Sequence, residues 1–169
     1  MQTLDIRFAA AMACLLLLGS APIGSASAQS DDRHVAITRA PTESQLRITL
    51  DRHLAAINAR DLDALMATVT GAEPLTTILP NGKVLETREQ YRQLHVDWFK
   101  QSDWRMVFDV QDVRVYGDAG IARVRYDSQA REPDGTYASK RQAILTLVFA
   151  REQAQWRLIY DQNTVIPPK

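Results

Sequence analysis

The chain has 169 residues, with 20 lysines and arginines against 20 aspartates and glutamates, and 46% of it is hydrophobic. Zero net charge without a basic run argues against nucleic acid or an anionic membrane surface as partner. Cys14 is the only cysteine, which excludes an internal disulfide framework and a cysteine metal site.

The first stretch, MQTLDIRFAAAMACLLLLGSAPIGSASAQS, places Arg7 ahead of an apolar run from Phe8 to Leu18 and ends in small residues at Ala26-Ser27-Ala28. This is the layout of a secretory signal peptide with an A-x-A cleavage site. The apolar run is shorter than the roughly 20 residues of a membrane span. A signal peptide at 1–28 predicts a periplasmic or secreted protein with no membrane attachment after cleavage. Cys14 leaves with the peptide, so the exported chain has no thiolate nucleophile. Residues 29–41 are polar and irregular and predict a flexible leader. One domain is expected over 42–169.

Thr42 to Gln45, TESQ, is a capping box that opens a helix. Leu46, Leu50, His53 and Ile57 share one face of it and should be buried together, so a histidine stands in an otherwise apolar stripe. Asp61 is a fresh N-cap for a second helix, with Leu62, Leu65, Met66 and Val69 at i, i+3, i+4 and i+7, ended by Gly71. PLTTILPNGKVLE reads as two short strands around an Asn81-Gly82 turn. Thr87 to Gln90, TREQ, is a second capping box. Behind it Tyr91, Leu94, His95, Trp98 and Phe99 form the apolar side of a third helix, and His95 repeats the puzzle of His53.

From Trp104 the period becomes alternating. Met106, Phe108 and Val110 alternate, then Val113 and Val115, so the parity slips near Gln111-Asp112 and predicts a β-bulge. Turns at YGDAG, EPDGT and REQAQ separate three more strands, near 119–131, 137–151 and 155–166. Ala143 to Phe149 is apolar except for Thr146, which predicts burial on both faces. Three helices followed by an antiparallel meander predict an α+β domain with the helices on one side of a bent sheet. Polar residues on the inner helix faces predict a cone-shaped cavity between the layers.

The order of elements resembles the nuclear transport factor 2-like superfamily, and its SnoaL-like branch in particular. The resemblance is carried by AAINARDLDALMATV in the first two helices, REQYRQLHVDWF in the third and the closing WRLIYDQNT, and covers about residues 42–166. It implies a cone-shaped barrel, with three N-terminal helices packed on a curved, mainly antiparallel sheet. It also implies a pocket between helices and sheet and a homodimer through the outer sheet face. Ketosteroid isomerase, a member of the superfamily, has a tyrosine where this chain has His53. Its catalytic base is an aspartate in the segment resembling PLTTILP, which holds no carboxylate here. Its second oxyanion donor is an aspartate where this chain has Leu145. Steroid isomerisation is therefore not expected.

Strand alternation and the pocket side of the family together place Val124, Tyr126 and Ser128 inward on one strand. They place Ile159, Asp161 and Asn163 inward on the last, leaving Trp156, Leu158 and Tyr160 on an outer face that a dimer partner would cover. The candidate ligand-binding residues are thus His53, His95, Trp98, Tyr126, Asp161 and Asn163, with Trp98 as an aromatic wall. The candidate catalytic residues are His53, His95 and Asp161, since an Asp–His pair is a general base near neutral pH. The plainer alternative makes the histidines hydrogen-bonded packing residues and Asp161 the partner of one of them. His34, His53 and His95 have no metal-ligand spacing, so neither metal nor cofactor is expected. Arg123 and Arg125 alternate outward as a solvated face. The expected function is binding of a small, largely apolar organic ligand. The alternatives are a cofactor-free isomerase, cyclase or hydrolase using a His–Asp pair, or a non-catalytic protein-association domain.

Overall fold

The computed structural model describes the backbone of residues 31–168 and the side chains of residues 43–168. The signal-peptide segment expected at 1–28 lies outside the described residues. Helix α1 (Asp31–Ala59) presents Leu46, Leu50, His53 and Ile57 to the interior, all buried, as their spacing requires. It begins upstream of the capping box at Thr42, which therefore does not mark its start. Asp61 accepts a hydrogen bond from the Ala64 backbone N–H at 2.9 Å and caps α2 (Leu62–Met66), a single turn and a half rather than the longer helix expected.

Strands β1 (Thr76–Ile78) and β2 (Val84–Leu85) form the hairpin about Asn81-Gly82, where Gly82 takes a φ of 82° that a side chain would resist. Thr87 then caps α3 (Arg88–Phe99) through the Gln90 N–H, while the Gln90 side chain accepts from the Glu86 N–H one residue ahead of the cap. The long strands β3 (Trp104–Tyr116), β4 (Ala119–Arg131), β5 (Tyr137–Glu152) and β6 (Gln155–Val165) follow as a meander. The six strands form one sheet in the order β2-β1-β6-β5-β4-β3, antiparallel except for the parallel β1–β6 pair.

This sheet is open. The expected cone-shaped barrel is not formed, because β2 and β3 are the two edges and no ladder joins them. Closure needs a continuous ring of paired strands. Here one flank tapers to strands of three and two residues, and helices cover the inner face instead. The α+β class stands; the barrel does not.

Irregularities in pairing decide which side chains face inward. The bulge expected near Gln111 occurs between Val110 and Asp112, so Phe108 and Val113 both face the helices. A second irregularity, between Val148 and Phe149, overturns the expected facing of the start of β6 and leaves Asp161, Asn163 and Tyr160 facing as expected. Phe149 pairs with Leu158 and Val148 with Tyr160, which leaves Ile159 unpaired and reverses the alternation there. Trp156 and Leu158 are therefore core residues, 2% and 0% exposed, and not part of an outer face. Downstream of the bulge, Asp161 faces inward and is buried, and Tyr160 falls on the opposite side. The bulge coincides with a second attachment. The Leu158 N–H donates to Thr68 O and the Thr70 N–H to Leu158 O, both at 2.9 Å, tying the chain after α2 to β6.

The core lies between α1 and the inner face of β3 to β6, in one cluster that holds Leu46, Leu50 and Leu54 with Val113, Ala122, Val124 and Leu147. The layers approach closely at Gly120, where a Cβ would stand 2.5 Å from Leu46 Cδ2.

Candidate functional site

Between α3 and the inner face of the sheet, packing is interrupted by a cavity of about 320 Å³. His95 and Trp98 reach it from α3, Tyr126 from β4, and Asp161 and Asn163 from β6. Five of the six expected ligand-binding residues thus meet around one space. His53 does not line it: the ring is buried beneath, 1% exposed. Met106 and Phe108 of β3, Leu145 of β5 and Leu94 of α3 supply the apolar walls.

Both histidines are held in one tautomer. Thr68 Oγ1 donates its single proton to Leu65 O at 2.6 Å, so toward His53 Nδ1, 2.8 Å away, it accepts. His53 therefore carries its proton on Nδ1 and leaves a lone pair on Nε2, which is buried without a partner. His95 Nδ1 donates to Tyr91 O at 2.8 Å, one turn back on α3, and its Nε2 likewise carries a lone pair. Burial lowers the His53 pKa to about 3, with nearby His95 adding to the effect, and lowers that of His95 to about 4. Both rings are neutral at pH 7. Tyr91, Trp98 and Phe99 surround His95 with ring centroids 4.3, 5.7 and 5.4 Å away.

Asp161 is the exception in charge. It is 8% exposed, and burial raises its pKa to about 7, so it titrates where the histidines do not. Among the described residues its side chain receives one hydrogen bond, a long one of 3.4 Å from Asn163 Nδ2. That amide is oriented by its other contacts: Nδ2 also donates to Ile78 O at 3.1 Å, and Oδ1 accepts from Tyr126 Oη at 2.9 Å. Neither His53 nor His95 is hydrogen-bonded to Asp161 among the described residues, so the expected Asp–His unit is not closed by a direct contact.

Three further residues belong to the site without having been anticipated. Thr77 of β1 pairs in register with Asp161, lines the cavity, and its Oγ1 is buried without a partner. Tyr91 also lines the cavity with its hydroxyl buried and unpartnered; burial, and then Asp161, raise its pKa. Its spacing from His95 put it on the right helix face, but only the packing shows that its hydroxyl finds no acceptor. Arg141 of β5 lies at the outer rim. The alternation of Ala143, Leu145 and Leu147 extrapolates to it, and was the signal available in sequence. Among the described residues no three His, Cys, Asp or Glu side chains group as metal ligands.

An open sheet covered by helices, enclosing one apolar cavity with unpaired polar groups at its buried end, defines a small α+β domain of the ligand-pocket type. A family model described as the SnoaL-like domain matches residues 46–166. The chain belongs to the SnoaL-like domain family, within the nuclear transport factor 2-like superfamily. A search of curated proteins finds no match.

Solved structures share the fold at low identity. A nuclear transport factor 2-like protein with a cystatin-like fold from Novosphingobium aromaticivorans superposes with a TM-score of 0.66 at 17% identity, over 86% of this chain and 94% of that one. A candidate dehydratase of the same family from Streptomyces avermitilis gives 0.65 at 16% identity, over 76% and 98%. A ketosteroid isomerase-like protein from Erwinia carotovora gives 0.63 at 13% identity, over 76% and 99%. At such identities the likeness concerns the fold alone.

Proposed function

We propose that this domain binds a small, largely apolar organic molecule in the cavity, with an uncharged polar group of the ligand held at the Asp161 end. One observation carries the reading. Thr77 Oγ1 and Tyr91 Oη are buried at the cavity without a hydrogen-bond partner, and a buried polar group left unpaired costs about 1–3 kcal/mol. The cavity is at the lower end of the range for small-molecule sites, and its walls are mainly apolar. Protein purified under non-denaturing conditions should release a bound small molecule to mass spectrometry. That molecule should bind Asp161→Asn and Tyr91→Phe more weakly than wild type. Unchanged affinity in both variants would remove the polar end from the site.

A second reading makes the same cavity catalytic, through cofactor-free proton transfer. It is favoured by Asp161, a carboxyl poised to give or take a proton near pH 7, and by the lone pair on His95 Nε2. The two reach the cavity from opposite layers, so a ligand between them meets a proton donor and an acceptor. A rate profile that rises or falls through pH 7 and flattens in Asp161→Asn would support it.

The signal-peptide layout at 1–28 supports export to the periplasm or medium. Intact-mass measurement showing Gln29 as the first residue of protein recovered from the periplasm tests it. A homodimer through the outer sheet face is proposed on a different set of residues from the one expected. Ile121, Val148 and Tyr160 follow one another across β4, β5 and β6 in register, on the side away from the helices. Ile121 is 40% exposed.

A further inference from the structure

The cavity has two chemically different ends, and its polar groups are sorted between them. At the buried end stand Thr77, Tyr91 and Asp161, none of them a cation. At the rim stand Ser128, Asn81 and Arg141, and among the described residues Arg141 is the only lysine or arginine that lines the cavity. Arg141 pairs in register with Ser128 and follows the parity of Ala143, Leu145 and Leu147, all buried. Its side chain is thus on the helix-facing side of the sheet, at the end where the helices no longer cover it.

No ion pair or hydrogen bond engages Arg141 among the described residues. Its neighbours on the other face are engaged. Arg125 Nη2 donates to Gln142 Oε1 and Arg105 Nε to Gln129 Oε1, each at 2.7 Å. An inward-facing guanidinium at a cavity mouth, with no ion-paired or hydrogen-bonded partner among the described residues, is complementary to an anion.

From these positions we infer that the ligand is an amphipathic carboxylic acid, bound with its carboxylate at Arg141 and its apolar body inside, ending in a hydroxyl or carbonyl at Thr77 and Tyr91. This deepens the binding reading above and rests on it. The opposite orientation would bury the carboxylate beside Asp161 with no cation to pair it, and an unpaired buried charge is among the most costly arrangements in a protein. The reverse charge, an ammonium, would meet Arg141 as a like charge at the rim. Asp161 is opposite Leu147 in the ladder and Arg141 is six residues earlier on β5. That is about 20 Å between backbone positions at about 3.3 Å per residue; the side-chain ends stand closer, since Arg141 and Asp161 both act on the Tyr126 hydroxyl between them.

Three probes with one body separate the ends: ω-hydroxydecanoate, its methyl ester, and the corresponding amino alcohol. Binding is read by quenching of tryptophan fluorescence, since Trp98 lines the cavity, and by calorimetry. The acid should bind about fivefold more tightly than its ester, as suits an ion pair at a solvent-exposed rim, and the margin should shrink with added salt. Arg141→Gln should reduce the acid to the affinity of the ester and leave the ester unchanged. Arg141 is exposed and makes no ion pair or side-chain hydrogen bond among the described residues, so the variant should melt close to wild type. If the ester or the amino alcohol binds as tightly as the acid in both proteins, the carboxylate is not recognised; the acid assignment falls and binding in the cavity stands. If none of the probes binds wild type, the acid assignment falls outright. If a co-purified ligand is absent as well, the binding reading falls with it.

Discussion

Replacing Asp161 with asparagine should make this protein more stable while making it a poorer binder, and the gain should depend on pH. The carboxyl is buried with one long hydrogen bond, and its pKa rises from 3.8 to about 7. A tenfold change in proton affinity is about 1.4 kcal/mol, so keeping Asp161 ionised in the fold costs about 4 kcal/mol once the pH exceeds 7. Between pH 4 and 7 the folded protein holds a proton that the unfolded chain has released. Stability contributed by the protonated form is therefore whole below 3.8 and is lost as pH rises through 7. An amide does not ionise and keeps an acceptor for Asn163 Nδ2. The stability difference between Asp161→Asn and wild type should be near zero at about pH 4 and approach 4 kcal/mol by about pH 8. For a domain of this size that is a rise in Tm on the order of 10 °C. Thermal unfolding of both proteins across that range measures the difference, and ligand affinity is measured on the same samples. A variant less stable than wild type at pH 8, or a difference independent of pH, would refute the reasoning. Asp161 would then be a structural partner whose charge the fold uses.

Acid should destabilise the wild type by another route. His53 and His95 have folded pKa values of about 3 and 4 against 6.5 in the unfolded chain. Their contribution is whole above 6.5 and lost as pH falls through about 4 for His95 and about 3 for His53, which pH-dependent urea unfolding should detect with a smaller slope in His53→Gln. Tyr91→Phe removes a buried hydroxyl that has no partner; it should raise stability by about 1 kcal/mol in the same unfolding assay while weakening ligand binding. Leu158→Glu places a charge where exposure is 0% and should yield no folded protein by circular dichroism. If the proposed dimer forms through the outer row, wild type should sediment as a dimer and Val148→Glu as a folded monomer. Gly120→Ala drives a methyl against the buried Leu46 side chain at 2.5 Å and should cost about 1–3 kcal/mol in thermal unfolding.

Several local signals in this chain hold, although the capping box at Thr42 does not mark a helix start. The caps at Asp61 and Thr87, the Asn81-Gly82 turn and the bulge at Gln111 are each decided by side chains within a few residues, and each is in the structure. The stripe of Leu46, Leu50, His53 and Ile57 is buried as its period requires. His95, Trp98, Tyr126, Asp161 and Asn163 meet at one cavity because their helix and strand periods were readable.

Other features depend on partners far away in the chain, and there sequence alone was silent or misleading. Nothing in WRLIYDQNT announces the bulge at Ile159, which arises where residues 68–70 and β5 both pair with the start of β6. That one unpaired residue moves Trp156 and Leu158 from the surface to the core. Closure of the sheet is equally non-local, since it depends on whether β2 and β3, the first and last in spatial order, meet. His53 shares its face with pocket neighbours, but Thr68 turns its ring into the core. The missing partners of Thr77 and Tyr91 are a property of the assembled interior. A residue's own periodicity decides which way it points; whether it finds a neighbour is decided by elements the chain brings there from elsewhere.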